Sequence, residues 1–244
     1  HDHPADHWRF GRGELTGLLE PVATVLEVED DFSLGWPCGI GVVVRRREDG
    51  YYLVSAGAWS AYDADYLHKS VEDFMGRGGA QVLVHDVTTQ WGVFALAGPK
   101  SRDILKELIR DPEPETALSN KRFPWLSAKD IELGMVPTVG IRVAYTGELG
   151  WELHHPIEMQ NHLFDRLIEA GEKHGMKLVG ARAQNWLRQE KSYRAFGTEL
   201  GRDATPLEAA LDRFVDLSKD LQGKQAMLDT GIRSVCVTLL IDGP

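Results

Sequence analysis

The chain of 244 residues is 43% apolar and 26% charged, which is the composition of a globular protein with one large domain or two small ones. Its formal net charge of -10 argues against nucleic-acid binding and against adhesion to anionic membranes, and no apolar run approaches the ~18 residues of a transmembrane helix. The two cysteines, Cys38 and Cys236, are distant in sequence and form neither a disulfide scaffold nor a zinc motif, so we expect a reducing compartment: the cytoplasm or, in a eukaryote, the mitochondrial matrix.

The N-terminal segment, residues 1–39, shows no pattern that predicts a chemical site. His1, His3 and His7 lie among aspartates, and imidazole and carboxylate groups are metal ligands. No rigid element fixes their spacing, however, so a solvated N-terminus is the favoured interpretation and we predict no metal site. Residues 19–28 fit either a strand or a short helix. We treat the whole segment as divergent.

Strand pairs followed by helices come next. An apolar run from Ile40, an Asp-Gly turn and the run YYLVSAG predict a hairpin, and apolar residues at helical spacing predict a helix that begins at Ser60. Two further strands precede a helix that Ser101 would cap. This alternation predicts an α+β fold, with antiparallel sheets covered by helices, in a domain of residues 40–230.

The following stretch contains the residues that point to a binding site. Residues 143–146 and 151–154 predict two paired strands around a glycine turn, in which Tyr145 and Glu152 can point into the same space. Arg182 lies in the first turn of a later helix, where the helix dipole disfavours a cation, so we expect an anionic partner or ligand. A phenol, a carboxylate and a guanidinium from separate elements suit a flat, amide-rich heterocycle. The alternative is a hairpin with a surface glutamate.

Helices and one last strand complete the chain. Residues 160–174 predict an amphipathic helix, and in the helix after it Trp186 and Leu187 are expected on the buried side. A short helix is predicted at Thr205, another in the segment that follows it, and the apolar run RSVCVTLLIDG predicts a strand. Because a strand needs a partner sheet, we expect residues 231–244 to be the first strand of a truncated C-terminal domain.

Four runs of this sequence together resemble the motifs of a known family. In chain order they are DVTTQWGVFALAGPKSRDIL, YTGELGWEL, GARAQNWLRQEKSYRAFGTEL and TPLEAALDRFVDLSKDLQGKQAM. They resemble the folate-binding aminomethyltransferases, which include the T-protein of the glycine cleavage system and the C-terminal folate domain of dimethylglycine and sarcosine dehydrogenases. The run EKSYRAFGTEL is closer to the dehydrogenase-linked branch. The resemblance implies a tetrahydrofolate site among small subdomains, and it leads us to expect that the family's C-terminal barrel is missing from this sequence.

Three residues acquire roles from this resemblance. It implies that Tyr145 lines the pterin pocket, that Glu152 accepts hydrogen bonds from the amino and ring N–H groups of the pterin, and that Arg182 helps to hold the folate. A one-carbon unit would pass to tetrahydrofolate from an N-methyl or aminomethyl substrate of the dimethylglycine, sarcosine or glycine-cleavage type. Because no flavin-binding fingerprint is present, a flavin dehydrogenase domain or partner would have to generate that substrate.

One segment departs from the family's pattern. The family carries a G-G-[IV]-x-x-D segment whose aspartate assists the folate amine, whereas here Cys38-Gly39-Ile40 is followed by Gly41 and valines. The catalytic residue is therefore unknown, and three functions stay open. They are a tetrahydrofolate-dependent one-carbon transferase, a non-catalytic folate-binding or scaffold module, and a free-standing folate-dependent demethylase.

Overall fold

Two antiparallel sheets form the framework of the protein, and the α+β class predicted from the sequence is confirmed. The computed structural model describes residues 8–9, 23–29, 40–45, 50–195, 197–201, 203–219 and 223–239. The N-terminal histidines, Cys38 and all but the last residue of the predicted Asp-Gly turn lie outside the described residues.

The larger sheet has five strands in the described part of the chain, and each neighbouring pair is antiparallel. In spatial order they are β1 (Trp8–Arg9), β7 (Ser127–Leu133), β8 (Val136–Ile141), β9 (Gly150–Pro156) and β6 (Trp91–Ala97). Side chains alternate between the two faces of a strand. Glu152 and His154 of β9 therefore share one face of the sheet, and Trp151 and Leu153 share the other.

The smaller sheet has four strands among the described residues. In spatial order they are β3 (Ile40–Arg45), β4 (Gly50–Ala56), β2 (Ala23–Glu29) and β5 (Val84–Asp86). The predicted hairpin of β3 and β4 is confirmed by their antiparallel pairing. The part of residues 19–28 that is described forms a strand rather than a helix, and it pairs with β4 along its full length.

Helices cover the sheets. In the described residues they are α1 (Ser60–Gly76), α2 (Ser101–Leu108), α3 (Pro114–Ala117), α4 (Gln160–Glu172), α5 (Ala181–Glu190) and α6 (Lys224–Thr230). Ser101 is the first residue of α2, and the cap position before it belongs to Lys100; the single hydroxyl hydrogen of Ser101 is shared between the carbonyl oxygens of Gly98 and Leu149, which lie 2.7 and 3.0 Å from Oγ. None of these helices has both the length and the apolar character needed to cross a bilayer.

The hydrophobic core of the larger sheet lies on its helical face. There Trp151 and Leu153 of β9 join a buried cluster with Leu105 of α2 and Leu163 of α4, and each of the four is fully buried. Burial of large apolar side chains is the main favourable term in folding, so this cluster fixes the direction in which β9 faces. The opposite face of β9 is thereby turned toward the smaller sheet.

A second cluster lies between the two sheets. Tyr52 and Val54 of β4 meet Val139 and Ile141 of β8 in this cluster. Leu53, which lies between Tyr52 and Val54 in β4, faces the other way and packs in a third cluster with residues of α1. The fold is therefore layered, with helices outside and the two sheets facing one another.

Two predicted strands do not form strands in the residues that the structure describes. Residues 143–146 lie outside β8 and β9, because the amide of Val143 donates to the carbonyl of Ile141 at 2.9 Å and the backbone turns there. Residues 234–239, from the predicted final strand, have no strand partner within the described part of the chain. Whether residues 231–244 begin a further domain stays a prediction.

The helix predicted at Thr205 is a series of turns. Thr205 and Glu208 exchange the reciprocal hydrogen bonds of a helix start, at 2.8 Å and 3.2 Å. Ala210, however, has a φ of 57°, in the left-handed region that ends a helical turn. The predicted start at Thr205 is thus present, but the backbone leaves the helical region five residues later.

Candidate functional site

Glu152 lies on the face of β9 that is turned toward the smaller sheet, and it is 8% exposed. Its Oε2 lies 3.3 Å from Nε2 of His154, which is on the same face of the same strand. Nδ1 of His154 lies 3.0 Å from the hydroxyl of Tyr52 on β4. These three side chains, which we call the Tyr52–His154–Glu152 row, form a continuous hydrogen-bonded line from one sheet to the other.

One oxygen of Glu152 is left for another partner. Among the described residues, Oε1 makes no hydrogen bond, and 11% of the side chain remains exposed. A carboxylate is an acceptor-only group with room for several donors. The row therefore holds a nearly buried carboxylate that can still accept further hydrogen bonds.

His155 does not belong to this row. It faces the helical side of β9, stacks on Phe94 with ring centroids 4.8 Å apart, and its Nδ1 lies 2.9 Å from the carbonyl of Leu153. Burial lowers the pKa of His155, which favours the neutral form of the ring. The two adjacent histidines point in opposite directions, and the described residues contain no cluster suited to a metal ion.

Tyr145 lies in the connection between β8 and β9, residues 142–149, which we call the 142–149 connection. Its phenol is half-buried, and burial raises its pKa while the neighbouring guanidinium of Arg188 acts against that rise. The contact with Arg188 joins this connection to α5. Within the described part of the chain, no hydrogen bond links Tyr145 to Glu152 or to Arg182.

Arg188 is the buried cation next to Tyr145, and it is 1% exposed. It donates to Glu199 Oε2 at 2.7 Å, to Asn185 Oδ1 at 2.8 Å and to the carbonyl of Tyr193 at 2.9 Å. Burial alone would raise the pKa of Glu199, but hydrogen bonds from neighbouring groups, Arg188 included, lower it to about 2. This partly buried ion pair anchors the loop after α5 against the helix.

Arg182 occupies the first turn of α5, as predicted, and its side chain is exposed. In the part of the chain that the structure describes, it has no anionic partner. The prediction that Trp186 and Leu187 lie on the buried side of this helix is wrong, since they are 66% and 37% exposed. Arg188 is buried instead, because its ion pair with Glu199 determines which face of the helix turns inward. The sequence did not predict this, since a partner eleven residues away leaves no periodic signal.

Two glycines allow the 142–149 connection to fit closely against its neighbours. A Cβ on Gly150 would stand 2.8 Å from the carbonyl oxygen of Leu96 and 2.9 Å from Cβ of Ala144. Gly147 has a φ of 71°, and a Cβ there would stand 2.8 Å from Cγ of Lys191. These contacts hold the 142–149 connection between the start of β9 and the end of α5.

A cavity of about 370 Å³ adjoins the Arg188–Glu199 pair. It is lined by the end of α5, the loop after it and the extended segment near the C-terminus: Trp186, Arg188, Gln189, Glu190, Ser192, Tyr193, Arg194, Glu199, Cys236, Val237, Thr238 and Leu239. Arg194 reaches across this space to the carbonyl of Cys236 at 3.3 Å. The 142–149 connection thus adjoins this cavity through the contact of Tyr145 with Arg188.

Residues 39–219 match the family described as the GCVT N-terminal domain. The chain belongs to this family.

Proteins similar to this GCVT domain include both dehydrogenases and aminomethyltransferases. The mitochondrial dimethylglycine dehydrogenase of Rattus norvegicus is 37% identical over an alignment of 210 residues, which covers 82% of this chain and 23% of the rat protein. The aminomethyltransferase of Caldanaerobacter subterraneus subsp. tengcongensis is 31% identical over 189 residues, covering 77% of this chain and 47% of that protein. The chain therefore spans less than half the length of either relative.

A solved structure supports the same fold. The glycine cleavage system aminomethyltransferase T from Bartonella henselae superposes with a TM-score of 0.65 at 19% identity, covering 86% of this chain and 61% of that one. All the groups described above, from Tyr52 to Glu199, lie inside the range that matches the GCVT domain. The cavity is also lined by residues 236–239, which follow that range.

Proposed function

We propose that this GCVT domain binds tetrahydrofolate and takes part in the transfer of a one-carbon unit from an N-methyl or aminomethyl substrate. The observation that carries the proposal is Glu152: a nearly buried carboxylate, held at Oε2 by His154, with Oε1 free among the described residues. A pterin offers an amino group and a ring N–H side by side, and an acceptor-only carboxylate matches such a pair of donors.

Tyr145 and Arg182 take the other two roles in this proposal. The half-buried phenol of Tyr145 offers an aromatic face to a flat ring while its hydroxyl lies near Arg188. The exposed guanidinium of Arg182 has no anionic partner among the described residues, so it is available to a ligand carboxylate through charge-assisted hydrogen bonds. Arg188 supports the site by holding the loop after α5.

Bound tetrahydrofolate would supply the amine that accepts the one-carbon unit. The contribution of the chain is to bind and orient the pterin and to keep water from the buried side of Glu152. The dehydrogenase relatives support a substrate of the dimethylglycine or sarcosine type, with the reactive aminomethyl group supplied by a flavin dehydrogenase domain or partner. Their mitochondrial names favour the matrix if the protein is eukaryotic, and the cytoplasm otherwise.

A second candidate is a folate-binding module without transferase activity. It is favoured by the run Gly41 to Val44 in β3, which has no carboxylate where the family's motif leads us to expect an aspartate. In this case the chain would hold folate for another catalytic centre. Both candidate functions include folate binding, and only the first includes catalysis of one-carbon transfer.

Isothermal titration of the purified chain with tetrahydrofolate, under anaerobic conditions, tests the shared claim. We expect binding by the wild type, loss of binding in Glu152→Ala, and unchanged binding in Glu158→Ala, an exposed glutamate just beyond the same strand. No binding at high micromolar ligand would overturn both candidates. Unchanged affinity in Glu152→Ala would show that the pocket lies elsewhere.

Turnover separates the two candidates. The chain is mixed with tetrahydrofolate, dimethylglycine and a dimethylglycine-oxidising flavoenzyme, and the folate products are analysed. Methylene-tetrahydrofolate formed faster than in the mixture without the chain supports the transferase. Bound folate with no such acceleration supports the binding module.

A further inference from the structure

We propose that His154 is a positioning residue: it sets the direction of the Glu152 carboxylate toward the ligand and is itself held in place by Tyr52 from the opposite sheet. This inference rests on the proposed function of Glu152 and goes beyond it, because neither His154 nor Tyr52 would touch the ligand. The observation behind it is the row of contacts at 3.0 Å and 3.3 Å that ends on one oxygen of Glu152.

The chemistry of the row fixes where the imidazole hydrogen must be. A carboxylate only accepts hydrogen bonds, so Nε2 of His154 has to carry a hydrogen and donate it to Oε2 of Glu152. In the neutral ring this leaves Nδ1 with a lone pair, which the hydroxyl of Tyr52 satisfies by donating to it. A Nδ1–H tautomer would bring two acceptors together at Nε2 and Oε2, and it would leave the carboxylate without a donor.

Burial makes this arrangement rigid. Tyr52 and His154 are 1% and 0% exposed, so water cannot replace either partner at low cost. The ring of Tyr52 also meets the rings of His154 and Trp91 edge-on, at centroid distances of 5.6 and 5.8 Å, which restricts its rotation. Tyr52 comes from β4 and His154 from β9, so the geometry of Glu152 depends on the packing of the two sheets.

The row also determines the direction in which Oε1 of Glu152, the oxygen without a hydrogen bond among the described residues, points. With Oε2 occupied by the imidazole N–H, the carboxylate cannot rotate without losing a hydrogen bond to a charged group, which is a strong kind of hydrogen bond. Oε1 is therefore presented in one direction. A ligand that places two adjacent N–H donors there finds the acceptor pre-organised and loses less entropy on binding.

Titration with tetrahydrofolate and an NMR measurement test the role together, in chains shown to be folded by circular dichroism. His154→Leu removes the donor, and we expect an affinity lower by about tenfold or more. His154→Gln, whose amide can still donate to Glu152, should recover part of this loss. His162→Gln is the matched control, since His162 is exposed and contacts the carbonyl of Gly134, and its affinity should equal that of the wild type.

The NMR readout is the ¹⁵N spectrum of the His154 ring, which reports the hydrogen on each nitrogen directly. We expect a hydrogen on Nε2 in the wild type, and a mixture of tautomers with weaker binding in Tyr52→Phe. A wild-type ring protonated at Nδ1 alone overturns the inference. So does a folded His154→Leu chain that binds as tightly as the wild type.

Failure of this inference can be told from failure of the proposed function. If Glu152→Ala abolishes binding while His154→Leu and Tyr52→Phe do not affect it, Glu152 binds the ligand and the positioning role is overturned. If the wild type binds no tetrahydrofolate, the proposed function is overturned and the positioning role falls with it.

Discussion

The hydroxyl of Tyr52 is hydrogen-bonded to Nδ1 of His154 at 3.0 Å, although the two residues are 102 positions apart in the chain. This bond joins the smaller sheet to the larger one at a point where both side chains are almost completely buried. A buried donor or acceptor that loses its partner costs the free energy of its desolvation. The bond therefore couples the stability of the fold to the geometry of the site around Glu152.

Tyr52→Phe should lower the free energy of unfolding by about 1–2 kcal/mol, because it leaves Nδ1 of His154 buried without its donor. Urea denaturation followed by circular dichroism measures the change. Tyr62→Phe is the matched control, since Tyr62 is 45% exposed, and its effect should stay within about 0.5 kcal/mol. Equal effects of the two substitutions would contradict the structural role of the Tyr52 hydroxyl.

Local patterns in the sequence predicted the elements whose neighbours are close in the chain. The hairpin of β3 and β4 has a turn signal and two apolar runs, and α1 and α4 have apolar residues at helical spacing. Arg188 and His154 had no such signal. Their partners, Glu199 and Tyr52, are brought to them by the tertiary fold, so burial of a polar side chain could not be read from the sequence around it.

The predicted hairpin at Tyr145 is a second case in which tertiary contacts could not be predicted from the local sequence. β-branched residues and glycines correctly predicted a reversal of the chain before β9, but the strand before it ends at Ile141. Residues after that point turn to contact α5, and the ion pair between Glu148 and Lys191 at 3.1 Å is one such contact. A connection that is shaped by another element does not follow the alternation of a two-stranded hairpin.

Gly150→Ala should destabilise the protein by about 1–3 kcal/mol, because a methyl group there would overlap the carbonyl oxygen of Leu96 and Cβ of Ala144, neither of which can move freely. Thermal and urea denaturation measure the loss. Gly180→Ala is the control: its Cβ would meet no atom within 4 Å, and its backbone is extended, so we expect a change within about 0.5 kcal/mol. A well-tolerated alanine at position 150 would show that the 142–149 connection is not closely fitted.

The Glu199 carboxylate should make stability depend on acid pH. Its pKa is about 2 in the folded protein and near 4.5 ordinarily, so the unfolded chain binds the proton more readily. The stabilisation is complete above pH 4.5, amounts to about 2–3 kcal/mol, and is lost as the pH falls from 4.5 toward 2.

The difference in unfolding free energy between the wild type and Glu199→Gln, measured by urea denaturation from pH 7 to pH 3, isolates this contribution. The pKa of Glu208 is also lowered, by hydrogen bonds from Arg233 first of all, but Glu208 is present in both proteins and its effect cancels. We expect the difference to shrink below pH 4.5. A difference that is the same at pH 6 and pH 3 would contradict the assignment.

The two arginines of α5 should behave in opposite ways. Arg188→Ala removes the buried cation of a partly buried ion pair, in which the Glu199 side chain is 28% exposed, so we expect a loss of about 1–3 kcal/mol in unfolding free energy. Arg182→Ala changes an exposed side chain and should leave stability within about 0.5 kcal/mol of the wild type. Urea denaturation compares the two.

The affinity of the variants for tetrahydrofolate then shows which of the two arginines, Arg182 or Arg188, contacts the folate. In our proposal Arg182→Ala weakens tetrahydrofolate binding several-fold, and the difference from the wild type narrows as salt is added, because an exposed charge is screened. Arg188→Lys keeps the charge next to Glu199 and should bind close to normally if it folds. The opposite outcome would be an Arg182→Ala chain that binds tetrahydrofolate like the wild type and a folded Arg188→Lys chain that does not. In that case the guanidinium that binds folate would be that of Arg188, beside Tyr145. The folate-binding role that the sequence motif implies for Arg182 would then belong to the arginine six residues later in the helix.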